Sequence, residues 1–179
     1  MLEQMSQRLQ TQRSFEAAVE TLLNDVVALH GAEYGDLQLL VGDDLVVVAQ
    51  RGLTAAFLRT FRRVGKADGS TCGRALRSGR TVVVADVMAD PGYAALRDEA
   101  AAAGYRAVQS TPLTTSRGRV LGMVSTLFAN AHEPTPIELD TLARYSRVAA
   151  DYLEELLDGE TLAAEAQRMH EALYADAVA

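Results

Sequence analysis

The sequence predicts an α+β fold in which an antiparallel sheet is held between two helical layers. The first observation is a pair of apolar, β-branched runs, Arg106–Thr115 and Val120–Asn130, joined by the polar link Ser116-Arg-Gly-Arg119. Gly118 tolerates a left-handed backbone, so the pair reads as a β-hairpin. The second is that both alternating sets of the return strand are apolar: Leu121, Met123 and Leu127 on one face, Val120, Val124 and Phe128 on the other. A sheet wetted on one side would alternate apolar with polar, so this hairpin is central and covered twice. The third is an amphipathic helical pattern at each end of the chain, with short strands and helices interleaved between them.

Taken in order, Leu2, Met5 and Leu9, then Phe15, Val19, Leu22, Val26 and Leu29, recur at four-three spacing and predict one long amphipathic helix. Its first turns find no other partner in the sequence, which leaves a helix from a second chain or a frayed end to account for them. Asp36–Val41 and Leu45–Gln50 read as strands around the turn Gly42-Asp-Asp44. Thr54–Arg63 suits a short helix, apolar through Phe57, Leu58 and Phe61 and basic through Arg59, Arg62 and Arg63. With Lys66 these arginines form the one basic cluster, read either as a solvated helix face or as a surface for an anion. Ser70 or Thr71 caps a helix that Gly79 stops, placing Cys72 in its first turn. Thr81–Asp86 is a further strand, and Asp90-Pro91 opens a helix that runs to Gly104. After the hairpin, Thr135-Pro-Ile-Glu138 is a capping box, and Leu142, Tyr145, Ala149, Tyr152 and Leu156 mark the seam of the helix behind it. Glu160–Ala179 is helix-prone in a shifted register and reads as an extension or linker toward something outside the chain. The organisation is an N-terminal helical extension over 1–14, one domain over 15–157 and a C-terminal extension over 158–179.

At 179 residues, with 49% hydrophobic and 23% charged, the chain has the make-up of one globular domain. Its net charge of −7 disfavours a nucleic-acid binder, which needs clustered cations to release counterions from phosphates. The single cysteine excludes an intrachain disulfide and suits a reducing compartment. No apolar run reaches the roughly 20 residues that span a bilayer, and no secretory pattern opens the chain. These features predict a soluble, cytoplasmic protein with no membrane contact.

The blocks Gly69–Leu76, Val82–Val87, Asp90-Pro91, Gly104–Leu113, Gly118–Thr126 and Pro136–Leu142, in that order, resemble a GAF domain, the small-molecule sensing module of bacterial signalling proteins. The likeness covers roughly Phe15 to Leu157. It implies a GAF-like, PAS-related antiparallel sheet of five or six strands, terminal helices on one face, and short helices roofing a ligand cavity on the other. It also implies a homodimer joined through the terminal helices and a separate output protein.

Cys72 is the sharpest chemical candidate, because a helix N-terminus favours the reactive thiolate, although an unpaired cysteine commonly just packs. Bilin-binding relatives commonly follow their cysteine with histidine, where this chain has Gly73, and the sulfoxide reductases of the family use a second, resolving thiol. Haem needs an axial ligand in the pocket, and none of His30, His132 and His170 is clearly on the cavity side, so neither haem nor bilin is expected and the cofactor stays open. The Asn-Lys…Phe…Asp-Glu pattern of cyclic-nucleotide binders is missing, and Asp86 with Asp90 lacks the companions of a metal site. The remaining candidates for ligand contact are Gln109, Ser110, Thr111 and Ser125, polar residues in a buried hairpin, with Tyr93, Tyr105 and Arg106 on the segment covering the cavity. Three readings stay open: a non-enzymatic dimeric sensor, a redox enzyme or thiol switch using Cys72, and a structural dimerisation module with a filled core.

Overall fold

The computed structural model describes residues 1–177; the last two positions of the expected C-terminal extension lie outside it. The expected long first helix is two helices, α1 over Leu2–Gln10 and α2 over Phe15–His30. Polar Thr11–Ser14 interrupts the stripe, and the Ser14 hydroxyl accepts from Ala17 N–H to start α2 afresh. Freed by this break, α1 folds back on its own chain. Met5 and Leu9 enter the core, Arg8 pairs with buried Asp25, and Tyr152 donates to the backbone carbonyls of Gln10 and Gln12. Neither a frayed end nor a second chain is needed to account for the stripe.

Six strands follow: β1 Tyr34–Val41, β2 Asp44–Arg51, β3 Arg63–Val64, β4 Val82–Val84, β5 Ala107–Thr114 and β6 Val120–Phe128. They form one antiparallel sheet in the order β3-β2-β1-β6-β5-β4, with β6 of the predicted hairpin in the central pair beside β1 and β5 one strand in from the edge. The fold is the α+β architecture the sequence predicts. One detail of the hairpin differs: the pairing steps from Leu113↔Gly122 to Thr114↔Val120, leaving Leu121 as a bulge. Leu121 therefore joins the same core as Val124, and Met123 and Leu127 join the opposite one. Gly122 permits β1 and β6 to approach closely, since a Cβ there would overlap the Gln38 carbonyl oxygen and lie 2.9 Å from Leu39 Cα.

Two short helices and a turn roof one face of the sheet. α3 covers Ala55–Thr60, not the whole of Thr54–Arg63, because Arg63 is drawn into β3 against β2. α4 spans Thr71–Ser78, capped by Ser70 and ended at left-handed Gly79. Beyond β4, Pro91–Leu96 winds as a 3₁₀ turn before α5, Arg97–Ala103. Pro91 opens that turn as expected, but Asp90 makes no side-chain cap; its carboxylate meets Arg74 at 3.3 Å instead. On the other face lie α1, α2 and α6, the last over Pro136–Leu156 with both halves of the Thr135–Glu138 capping box formed.

The final helix, α7 over Gly159–Ala177, packs on β2 and β1. β3 pairs only with Leu45 and Val46 of β2, so the outer edge of β2 beyond them has no strand partner. His170 Nδ1–H donates to the Val47 carbonyl there at 2.8 Å, and Tyr174 donates to the Leu58 carbonyl. Leu162, Ala166 and Met169 belong to the core under α2 and α6, and Tyr174 to the core under the roof. The segment read as an outward linker is thus the brace that joins both layers. Among the described residues no helix is long and apolar enough to cross a membrane.

Candidate functional site

The site lies between the roof and the sheet face carrying Asp36, Gln38, Ser110 and Ser125. In a strand, alternate side chains share a face, and Leu37 and Leu39 of β1 point into the α2–α6 core. Asp36 and Gln38 therefore point the other way, beneath the roof, where they line a small cavity with Phe57 and Phe61 of the α3 region. Cys72 of α4 and Tyr93 of the 3₁₀ turn close it. The space open to a water centre is about 10 Å³, roughly that of one water. The ligand cavity implied by the resemblance is small here, filled in by the roof's own side chains.

Asp36 is 1% exposed and Gln38 0%. Asp36 Oδ1, Gln38 Oε1 and Gln38 Nε2 have no hydrogen-bond partner. Burial pushes the Asp36 carboxyl up to about 7, only partly opposed by the Ser125 hydroxyl across the β1–β6 ladder. Beside them runs a satisfied hydroxyl network: Ser110 donates to Thr71 Oγ1 at 2.8 Å, Ser110 and Ser125 hydroxyls are 2.8 Å apart, and Cys72 Sγ lies 3.4 Å from each serine oxygen.

The predicted residues divide. Cys72, Tyr93, Ser110 and Ser125 come together here, and Tyr105 stands behind Tyr93 with their hydroxyls 2.8 Å apart. Cys72 does begin α4, but its thiol is pushed up to about 12 by burial first and by nearby Asp36 second. The thiolate expected from the helix N-terminus is thereby disfavoured. Gln109 and Thr111 flank Ser110 and so face the opposite side; the Gln109 amide nitrogen is 3.2 Å from His30 Nδ1, and the Thr111 hydroxyl is 3.1 Å from that of Thr81. Arg106 is exposed and grips Asp86 through two hydrogen bonds of 2.8 and 3.0 Å. It is a surface ion pair away from the cavity. Arg62, from the basic cluster, lies over the Tyr174 ring, 4.9 Å from its centroid.

Sequence reasoning does not single out Asp36 and Gln38, although a signal exists: two polar side chains at period two in a strand otherwise apolar. Gly73 has its own reason, since a Cβ there would lie 2.5 Å from the Asp68 carbonyl oxygen, so a histidine after the cysteine has no room.

A six-stranded antiparallel sheet with helices on one face and a small roofed cavity on the other defines a compact α+β domain. The family model described as GAF domain matches residues 12–154, and the chain belongs to that family. A search of curated proteins finds no match. Among solved structures, the chain is similar to the free methionine-R-sulfoxide reductase of Neisseria meningitidis in complex with its substrate, at 21% identity and TM-score 0.70 over 86% of each chain. It is also similar to the GAF domain of a phosphoenolpyruvate-protein phosphotransferase from Coxiella burnetii, at 18% identity and TM-score 0.71 over 86% of this chain and 90% of that one. The reduced form of fRMsr from Staphylococcus aureus aligns at 17% identity and TM-score 0.65 over 85% and 92%. At these identities the likeness is one of fold.

Proposed function

We propose that this chain is a non-enzymatic GAF sensor that takes a small molecule between the β1–β6 face and its roof and transmits occupancy through its terminal helices. The observation that carries the reading is the concentration of three unpartnered buried atoms, on Asp36 and Gln38, in one cavity wall. Buried polar groups are costly without partners, and a bound molecule would supply them. The small empty volume by itself suits a filled structural core, in which the orphaned polar atoms would depend on one buried water. A ligand larger than one water must lift α3, α4 or the 3₁₀ turn, and that displacement couples binding to the rest of the fold. An output partner outside this chain would read the change. The reading places the domain in the cytoplasm, where its lone thiol stays reduced. The homodimer enters this proposal without support from the terminal stripes, which close on the chain itself.

The two reductases among the similar structures favour a second reading, thiol chemistry at Cys72. Against it stand the buried, neutral thiol and the lack of a second cysteine to resolve an oxidised one. Native mass spectrometry of freshly purified protein tests the first reading: a retained small molecule, lost on denaturation, is the expected result. Bare protein whose hydrogen exchange in the roof and in α6 is unchanged by extracts of its host would overturn it. The second is tested with a thiol reagent at neutral pH, where Cys72 should react only on unfolding; fast modification of the folded protein would restore the redox reading.

A further inference from the structure

The chemistry of the orphaned atoms narrows what the cavity accepts, on the footing of the sensor reading. Every neighbour of Asp36 on the elements packed around it is neutral near pH 7. Ser125 opposes it on β6 and Gln50 on β2, and the Gln50 carboxamide oxygen is already engaged by Leu53 N–H. From the roof come Phe57, Phe61, Thr71, Cys72 and Tyr93. The other ionisable side chains that feel Asp36 are the Tyr105 and Tyr174 phenols, both raised by burial and so un-ionised. Among the described residues no arginine, lysine or histidine lines the cavity. A fully buried carboxyl without a counter-ion is stabilised most strongly in its ionised form when a positive charge arrives with the ligand.

Gln38 adds a donor and an acceptor side by side, both free. We propose that the ligand is a small organic cation, bearing an ammonium, amidinium or guanidinium group whose charge lies against Asp36 and whose remaining polar atoms pair with the Gln38 carboxamide. An anion would meet the carboxylate with repulsion, and a neutral amide would satisfy Gln38 while leaving Asp36 without its counter-charge. The aromatic walls at Phe57, Phe61 and Tyr93 are compatible with a cation, which apolar aliphatic walls would favour less. Only a group the size of ammonium fits the space as it stands, so the body of a larger ligand displaces the roof.

The test uses the full chain, with methylammonium and guanidinium as probes and urea as the neutral isostere of guanidinium, all at millimolar concentration. Backbone amide shifts at Asp36, Gln38, Ser125 and Cys72 are followed by ¹H–¹⁵N NMR. The expected result is saturable shifts with at least one cation at pH 8, none with urea, and loss of the response in Asp36→Asn. Because a proton on Asp36 competes with the cation and its carboxyl titrates at about 7, binding should weaken about tenfold from pH 8 to pH 6. The pH comparison needs no variant. Equal shifts with urea, a cation response that survives in Asp36→Asn, the opposite pH trend, or no saturable response to either cation would each overturn the cation assignment. None of these touches the sensor reading, which stands or falls on the retained molecule and the exchange data.

Discussion

Asp36 carries a stability signature as well as a site. Its ordinary value is 3.8 and its folded value about 7, so between those limits the folded chain holds a proton that the unfolded chain has lost. Stability from this group is therefore complete below pH 4, declines as pH rises, and is gone above about 7. The full span corresponds to about 4 kcal/mol. Asp36→Asn should flatten the pH dependence over that window and leave the variant more stable than the parent at pH 8. Urea unfolding at pH 4.5, 6 and 7.5 measures it; parallel curves for the two proteins would show that Asp36 is not held protonated. The same residue shows where sequence reading stops. Its period-two position beside Gln38 was legible in β1, but which face the strand would turn to the roof depended on packing from distant elements. Gln109 and Thr111 turn away from the cavity for the complementary reason: a buried polar residue has two faces on which to find a partner, and theirs lie with His30 and Thr81.

At the level of elements, local signals held wherever the backbone alone decides. The capping box at Thr135, the Ser70 cap and the turn glycines all form as read. Boundaries differ at Ser14, whose local cap splits the first helix, and where tertiary contacts decide, as when Arg63 leaves a helix for β3. The bulge at Leu121 is of this second kind, and it sits next to Gly122, the point of closest approach between β1 and β6. Gly122→Ala should cost about 3 kcal/mol, because the new methyl group meets rigid backbone, not a movable side chain. It should also disturb the site, since the backbone it strikes carries Gln38. Chemical denaturation gives the first effect and the Gln38 side-chain amide resonance the second; a variant as stable as the parent would mean that the β1–β6 spacing is looser than the structure shows. On the helical face, α1 is held by Arg8 and Tyr145, both bonded to buried Asp25. Asp25→Ala removes the common acceptor and should release α1 at a cost of about 2 kcal/mol, visible as lost hydrogen-exchange protection in Leu2–Gln10 and little change in α4.

Over the whole molecule, the sheet separates two cores, and the described elements that could carry a change from one to the other are few. α7 contributes to both: its first half joins the core beneath α2 and α6 against β1 and β2, and its last turns reach Leu58 and the roof. Its pattern of Leu162, Ala166 and Met169 was visible in the sequence, but a stripe announces only that something covers it, not whether that is the same chain. Here the cover is the β2 edge, whose carbonyl at Val47 would otherwise face solvent beside a row of valines. Ending the chain after Leu157 should therefore do two things at once. It uncovers Val48 and the unpaired β2 backbone, which invites edge-to-edge association, and it withdraws Tyr174 from the carbonyl of α3, loosening the roof over the cavity. The expected outcome is a lower denaturation midpoint with concentration-dependent oligomers in light scattering, and faster exchange in Ala55–Thr60. Full stability and unchanged exchange in the shortened chain would show that α7 only rests on the sheet, and would return it to the role of a linker.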